Sequence, residues 1–179
     1  MQRIFAEDTP WHVDWNEWRL AARGRTGGTV SRENHLHALH SNSSRRRHVR
    51  HLAGVSLQMV DAYPKAMPAA KADLIPSLAR LVPPARTFDK RTYSPWIEGG
   101  LQSLCEERLG TLVVTGGETE VCVLAAVLGA IDLGYHVVLP SDAIDSGADE
   151  THDAALKLLG NRFSVQLEFS TTERFLSSA

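Results

Sequence analysis

The chain has 179 residues, 43% of them hydrophobic, and a formal net charge of −2 at pH 7. This length and composition predict one soluble domain with enough apolar surface for a core, and the near-neutral charge argues against general attraction to nucleic acid. Two cysteines far apart in sequence exclude a disulfide framework, and no signal peptide or long apolar run is present, so we expect a cytoplasmic protein that contacts no membrane.

The stretch from residue 23 to residue 54 differs in composition from the rest of the chain. It contains Arg45, Arg46 and Arg47 in a row, and five of the eight histidines: His35, His37, His40, His48 and His51. Neither helical nor strand periodicity runs through it, so a loop or disorder is the expected structure. The first three of these histidines could bind a transition metal, and the arginines could contact phosphates. Because nothing supplies supporting carboxylates or aromatic stacking partners, we predict no metal and no nucleic-acid partner.

The next segment predicts a helix, a strand and a second helix. Asp73–Leu81 has the apolar spacing of a short helix, and Arg86–Lys90 follows as a brief strand. The second helix is expected over Ile97–Arg108. Cys105 lies on the apolar side of this helix, so packing in the core is its expected role.

Residues 111–143 predict a strand, a glycine turn, a helix and another strand. Leu112–Val114 is a β-branched run suited to a buried strand, and His136–Leu139 is a second one. Between them Thr119 is the expected N-cap of a helix that ends at Gly134. Further on, a helix over residues 149–159, a strand over residues 165–169 and a helix over residues 171–176 complete the predicted elements.

Cys122 falls in the first turn of the predicted central helix. Free backbone N–H groups and the positive end of the helix dipole lie there, and both favour a thiolate. The alternative is a cysteine that only fills space on the helix. Lys90 also follows a predicted strand, and in α/β sheets ligands bind beyond the carboxyl ends of strands, which favours a site shared by Lys90 and Cys122. The alternative for Lys90 is a solvated surface side chain.

Three segments of the chain carry recognisable motifs: T-G-G-E-T-E-V-C-V-L at 115–124, A-I-D-L-G-Y at 130–135 and S-D-A at 141–143. They resemble the G-x-x-T-[DE]-x-C-V turn, the A-x-D-x-G-[YF] helix end and the D-A strand end of the isochorismatase-like cysteine hydrolase family. Phe88–Trp96 resembles the family's K-x-x-x-S-x-[FW] segment, and His152 resembles the histidine after the D-A strand. A second short match covers residues 1–11.

The resemblance implies both a fold and a chemistry. The fold is α/β, a three-layer α/β/α arrangement with a mostly parallel Rossmann-like sheet, and residues 1–179 form a single hydrolase domain. Cys122 is expected to be the catalytic nucleophile, cleaving an amide-type C–N or related bond through a thioester, with Lys90 as its catalytic partner. Backbone N–H groups of Glu118 and Cys122 are expected to form an oxyanion hole, after a non-proline cis peptide bond that precedes Glu118.

The resemblance also implies what surrounds the reacting groups. Asp142 and His152 are expected to brace the nearby loop, and no cofactor and no metal are expected. The implied partners are a small-molecule substrate and further copies of the chain in a homo-oligomer. The side chains expected to border the pocket are Tyr93, Ser94, Trp96 and Thr119.

The chain departs from the family pattern at its start. Met1–Phe5 resembles the tail of the first-strand motif D-x-Q-x-x-F, whose aspartate is the catalytic base. That aspartate and its strand would precede Met1, so we expect an N-terminally truncated domain. The alternative to an active hydrolase is therefore a catalytically inactive remnant that keeps only the fold or an oligomer surface.

Residues 30–60 are expected to be atypical, either a disordered loop or a segment read in a shifted frame. Back-translation of residues 34–42 with a one-base shift permits T-I-F-T-R-F-I-P, which resembles the family's second strand. The same shift forces a tryptophan from the codons of Met59 and Val60. If the shift is real, we expect a polar loop in place of the second strand.

Overall fold

The protein is described by a computed structural model, which covers residues 37–41, 74–83, 86–90, 92–97, 101 and 110–178. The strands in these ranges are β1 (His37–Ser41), β2 (Arg86–Lys90), β3 (Thr111–Val113), β4 (Gly116–Gly117), β5 (His136–Pro140), β6 (Ile144–Asp145) and β7 (Leu167–Ser170). The helices are α1 (Pro76–Ala79), α2 (Leu124–Asp132), α3 (Asp149–Arg162) and α4 (Thr172–Ser178).

Every pairing among these strands is parallel. Strand β1 pairs with β2, the order β3-β5-β7 forms a three-stranded sheet, and β4 pairs with β6. Parallel strands need crossover connections, and α2 and α3 supply those between β3 and β5 and between β5 and β7. The predicted α/β class is confirmed.

The core lies around the middle strand of the three-stranded sheet. In β5 only His136 is exposed, and the four residues after it are buried, which is typical of a parallel strand covered on both faces. Val137 and Leu139 pack in one cluster with Val127 of α2 and Leu159 of α3, all at 0% exposure. The two helices are therefore joined to the sheet through apolar contacts.

Most of the predicted elements from residue 111 onward are confirmed, with shifted ends. Helix α3 continues past residue 159 to Arg162, and Asp149 at its start and Arg162 at its end complement the helix dipole. Strand β7 begins at Leu167 because Val165 lies in a turn, where it is 87% exposed. Gly134 ends α2 with a φ of +85°, a conformation that favours glycine, as predicted.

The predicted helix at Asp73–Leu81 is wrong in length. Asp73 lies outside the described residues, and α1 comprises only Pro76–Ala79. Ile75 has an extended backbone (φ −60°, ψ 147°), because the residue before a proline is sterically excluded from the helical region. The predicted helix at Ile97–Arg108 lies outside the described residues, except that Ile97 is not helical and Leu101 is helical and buried. Cys105 also lies outside them.

The prediction of a loop or disorder at residues 23–54 is wrong for five of these residues. His37–Ser41 forms β1, whose register places Ser41 opposite Lys90. Parallel pairing uses backbone N–H and C=O groups, which these residues supply whatever their side chains, so a partner strand can impose a strand on an unpatterned sequence. The rest of residues 30–60 lies outside the described part of the chain.

The turn after β5 is held to the last helix by a carboxylate. Asp142 Oδ1 accepts hydrogen bonds from the backbone N–H of Thr172, at 2.7 Å, and from its hydroxyl, at 3.0 Å. This is the bracing contact expected for Asp142. Within the described ranges, no helix is long and apolar enough to cross a membrane.

Candidate active site

A sharp bend joins β4 to the helix that carries Cys122. Gly116 has a φ of +137°, which L side chains rarely adopt, so glycine is required there. One residue further on, the peptide bond between Gly117 and Glu118 is cis, as the resemblance implies. Strand β4 places Gly117 opposite Asp145 of β6, so the bend lies beside the loop that follows β6.

The helix begins with one turn of π-helix at Thr119–Val123 before it continues as α2. The carbonyl of Glu118 accepts hydrogen bonds from the N–H groups of Val121 (3.2 Å) and Val123 (3.1 Å), and the second of these is the five-residue bond of a π turn. The prediction of Thr119 as N-cap is wrong, because Glu118 occupies that position and makes no side-chain cap bond. Such wide turns are frequent at functional sites.

Cys122 lies within this π turn and is half-buried. Its position in the first turn of the helix is the one predicted. A thiol that only filled space in the core would be expected to be enclosed, as Val123 beside it is, at 3% exposure. Cys122 as a residue is therefore partly accessible, at a position in the first turn of the helix, where backbone N–H groups are not all used within the helix.

Thr119 ties the start of the helix to two other segments. Its side chain is fully buried, and its hydroxyl donates to the carbonyl oxygen of Asp145 at 3.0 Å. The Thr119 hydroxyl oxygen also lies 2.9 Å from Nδ1 of His152 in α3. A hydroxyl has one proton and the carbonyl can only accept, so His152 Nδ1 carries a proton and donates it to Thr119. Through this hydrogen bond His152 holds α3 to the start of the helix, which is the bracing role expected for it.

Glu120 makes a second set of contacts to the same region. The Ser146 hydroxyl donates to Oε2, and the Thr151 hydroxyl donates to Oε1 at 2.8 Å. Burial raises the pKa of the Glu120 carboxyl, but the hydrogen bonds from Ser146, from its own backbone N–H and from Thr151, with the attraction of His152, lower the pKa below its ordinary value. The ionised carboxylate therefore stabilises the loop against the helix start.

This pKa shift predicts how acid acts on the protein. Because the folded pKa of Glu120 lies below the unfolded one, its contribution to stability is present above the unfolded pKa and is lost as the pH falls through the folded pKa. We expect Glu120→Gln to lower the unfolding midpoint at neutral pH and to converge with wild type in acid. Urea unfolding of both proteins between about pH 3 and about pH 8 measures this.

The control for this experiment removes one negative charge elsewhere. Glu173→Gln changes an exposed residue in the first turn of α4. Unfolding curves of wild type and Glu120→Gln that stay equally far apart down to about pH 3 would contradict the assigned contacts.

Trp96 is half-buried and anchored against α2. Its indole Nε1 donates to the carbonyl oxygen of Ala126 at 2.8 Å, and its ring stacks on Tyr135 with centroids 6.1 Å apart. Thr119 is enclosed. The expectation that Thr119 borders a pocket is therefore wrong, because its side chain is 0% exposed, whereas the same expectation for the half-buried Trp96 stays a prediction. Tyr93 is 47% exposed and Ser94 is half-buried, so both remain candidates.

Lys90 is the last residue of β2, the position predicted for it. Its side chain lies outside the described residues, so its approach to Cys122 stays a prediction, as does the oxyanion role of the N–H groups of Glu118 and Cys122. Among the residues that the structure describes, no group of three His, Cys, Asp or Glu side chains could hold a metal ion.

Sequence reasoning missed the contacts of Glu120. The Glu120 carboxylate accepts hydrogen bonds from side chains 26 and 31 residues further along the chain. No local spacing carries that information. The contact of Trp96 with α2 could have been predicted in part. Ala126 and Gly129 are small residues three apart on one helix, so their face leaves room for a large ring.

The parallel sheet and the bend before Cys122 define this chain as an α/β protein with a candidate site at a strand-to-helix turn. The sequence model of the isochorismatase domain matches residues 29–170. The chain therefore belongs to the isochorismatase family, a family of hydrolases.

Individual relatives agree with this assignment. The secreted isochorismatase effector Isc1 of Phytophthora sojae is 36% identical over 78 residues, which are 42% of this chain and 37% of that protein. The matched part thus spans well under half of that relative.

Solved structures show the same fold. A cysteine hydrolase from Pseudomonas syringae superimposes with a TM-score of 0.79 at 20% identity, over 99% of this chain and 87% of that one. An isochorismatase-like hydrolase from Alkaliphilus metalliredigens gives 0.72 at 22% identity, over 96% and 90%. Nicotinamidase PncA from Bacillus subtilis gives 0.66 at 18% identity, over 84% and 83%.

Proposed function

We propose that this chain is a cysteine hydrolase that cleaves an amide-type C–N or related bond of a small molecule. One observation carries the proposal: the half-buried thiol of Cys122 lies in the first turn of a helix, directly after the bend at Gly116–Glu118. Helix starts favour the thiolate, which is the nucleophilic form of cysteine. Membership of a hydrolase family and the shared fold with a cysteine hydrolase support the same reading.

The proposed reaction has two half-reactions. The Cys122 thiolate attacks the carbonyl carbon, the C–N bond breaks, and the amine leaves with the proton that the thiol gave up on ionising. Water then attacks the thioester, the C–S bond breaks, and a carboxylic acid and the thiol are released. The N–H groups of Glu118 and Cys122 would stabilise the oxyanion, and one such donor is worth about 3 kcal/mol.

Lys90 would hold a positive charge near the sulfur. A cation beside a cysteine favours the thiolate over the thiol. The end of β2 is where a parallel sheet presents such a residue to a ligand. No cofactor takes part in this scheme.

The first test measures turnover directly. The purified protein is incubated with nicotinamide, pyrazinamide, isochorismate and a set of primary amides, and product release is followed by chromatography. The first three are chosen because relatives of the same fold or family carry the corresponding names. Hydrolysis of at least one of the amides is the expected result, because turnover of isochorismate alone, an enol ether, would not pass through a thioester.

The second test measures the thiol without a substrate. Iodoacetamide labelling of the Cys122 peptide is followed by mass spectrometry as a function of pH, beside a short cysteine peptide. We expect the labelling midpoint well below the value of about 8.5 for an ordinary thiol. Labelling no faster than the peptide, together with no turnover, would overturn the proposal and favour the inactive remnant.

A further inference from the structure

Trp96 lies six residues after Lys90, the last residue of β2, and contacts the helix whose first turn carries Cys122. Its indole N–H donates at 2.8 Å to the carbonyl of Ala126, which lies four residues after Cys122 and so about one helical turn along α2. The ring stacks nearly parallel to Tyr135, with 15° between the planes. Trp96 therefore touches both ends of α2, at Ala126 and just after Gly134.

The segment between Lys90 and Trp96 is closed by its own hydrogen bonds. The Thr92 hydroxyl donates to the carbonyl of Ser94 at 2.8 Å, and the backbone N–H of Trp96 donates to the Ser94 hydroxyl at 3.3 Å. Pro95 is fully buried and has a fixed φ. A movement of the indole would thus displace Thr92–Trp96 as a unit, and this unit follows β2 in the chain.

Gly129 allows the indole ring of Trp96 to pack directly against α2. A Cβ added at Gly129 would overlap with Cδ1 of Trp96 and lie 2.7 Å from Nε1. The ring therefore packs directly on the helix backbone at this position. Only glycine permits this approach without displacement of the indole.

We propose that Trp96 is a positioning residue that sets the distance between Lys90 and Cys122. The inference rests on the proposed function, because it assigns Trp96 a role through the catalytic pair. In this role Trp96 acts through the backbone: it holds the segment that follows β2 against α2, and so fixes where the end of β2 lies relative to the turn of Cys122.

The test is a double-mutant cycle between Trp96→Phe and Lys90→Met. The phenylalanine keeps a ring on Tyr135 but removes the N–H donor to Ala126. We expect Trp96→Phe to lower kcat about 10-fold with KM within about 2-fold, because small misplacements of reacting groups are costly. In the Lys90→Met background it should lower kcat by less than about 2-fold, because the residue that it positions is already gone.

The iodoacetamide profile of Cys122 supplies a readout that needs no substrate. Trp96→Phe and Lys90→Met should each move the labelling midpoint to higher pH, and the double variant should move it no further than Lys90→Met alone. If wild type hydrolyses nothing, the proposed function fails, and this labelling cycle still decides the inference about Trp96.

A matched pair of glycine variants tests the geometry separately. Gly129→Ala should reproduce the effects of Trp96→Phe, whereas at Gly147 an added Cβ meets nothing within 4 Å, so Gly147→Ala should behave as wild type. Effects of Trp96→Phe and Lys90→Met that multiply, or a Trp96→Phe variant with lower thermal stability but an unchanged kcat and labelling midpoint, would overturn the inference.

Discussion

Replacing Cys122 by alanine will abolish turnover and leave a folded protein. Without the sulfur no thioester can form, and removal of a catalytic nucleophile lowers kcat by about 10⁴-fold or more. Cys122 is half-buried, so loss of one sulfur atom should lower the free energy of unfolding by less than about 2 kcal/mol. Steady-state kinetics on a substrate from the panel and urea unfolding measure the two effects.

The covalent intermediate gives this prediction a direct control. Wild type quenched with acid during turnover should show a mass increment equal to the acyl group on the Cys122 peptide, and Cys122→Ala should show none. The matched variant Cys105→Ala should keep its kcat and its adduct. More than about 1% of wild-type kcat in Cys122→Ala, or an adduct on Cys105, would contradict the assignment of the nucleophile.

Replacing Thr119 by valine will cause the largest loss of stability among changes near the site. Valine has nearly the same shape but lacks the hydroxyl that links the Asp145 carbonyl and His152 Nδ1. Each buried polar group that loses its partner costs about 1–3 kcal/mol, so we expect the free energy of unfolding to fall by about 2–5 kcal/mol. Urea unfolding measures this loss.

Serine at the same position separates the hydroxyl from the methyl group. Thr119→Ser keeps both hydrogen bonds and removes one methyl, so its cost should be about 1 kcal/mol. It should also keep the Cys122 labelling midpoint of wild type, whereas Thr119→Val should raise it, because the start of the helix is no longer held to α3. Equal destabilisation by the two substitutions would show that the hydroxyl contacts are not the source of stability.

Most elements from residue 111 onward could be predicted, because the residues that determine each of them lie close together in the sequence. The apolar run at His136–Leu139 has one stable outcome in a chain of this size, a buried parallel strand. Among the described residues, the backbone has positive φ at Gly116 and Gly134, and Cys122 follows Gly116 at a distance that places it in the opening turn of a helix. The family motifs lie in this same region, which the isochorismatase match includes.

Strand β1 could not be predicted from local sequence patterns. No pattern distinguishes His37–Ser41 from the polar residues around it, and β1 exists only because β2 offers a parallel partner. The same limitation applies to the length of the strands and helices, since competing contacts shift their ends by a few residues.

By itself, the sequence determined the α/β class, the order of the elements from residue 111 onward and the position of Cys122 at the start of a helix, because periodicity, β-branched runs and glycines act within a few residues of one another. Only the tertiary structure decided the surroundings of that cysteine. Thr119 contacts Asp145 and His152 rather than capping its own helix. Trp96 packs on α2 and donates to Ala126, which lies 30 residues further along the chain. These contacts join segments far apart in the chain, and a buried hydroxyl or indole N–H takes whichever acceptor the packed fold brings to it.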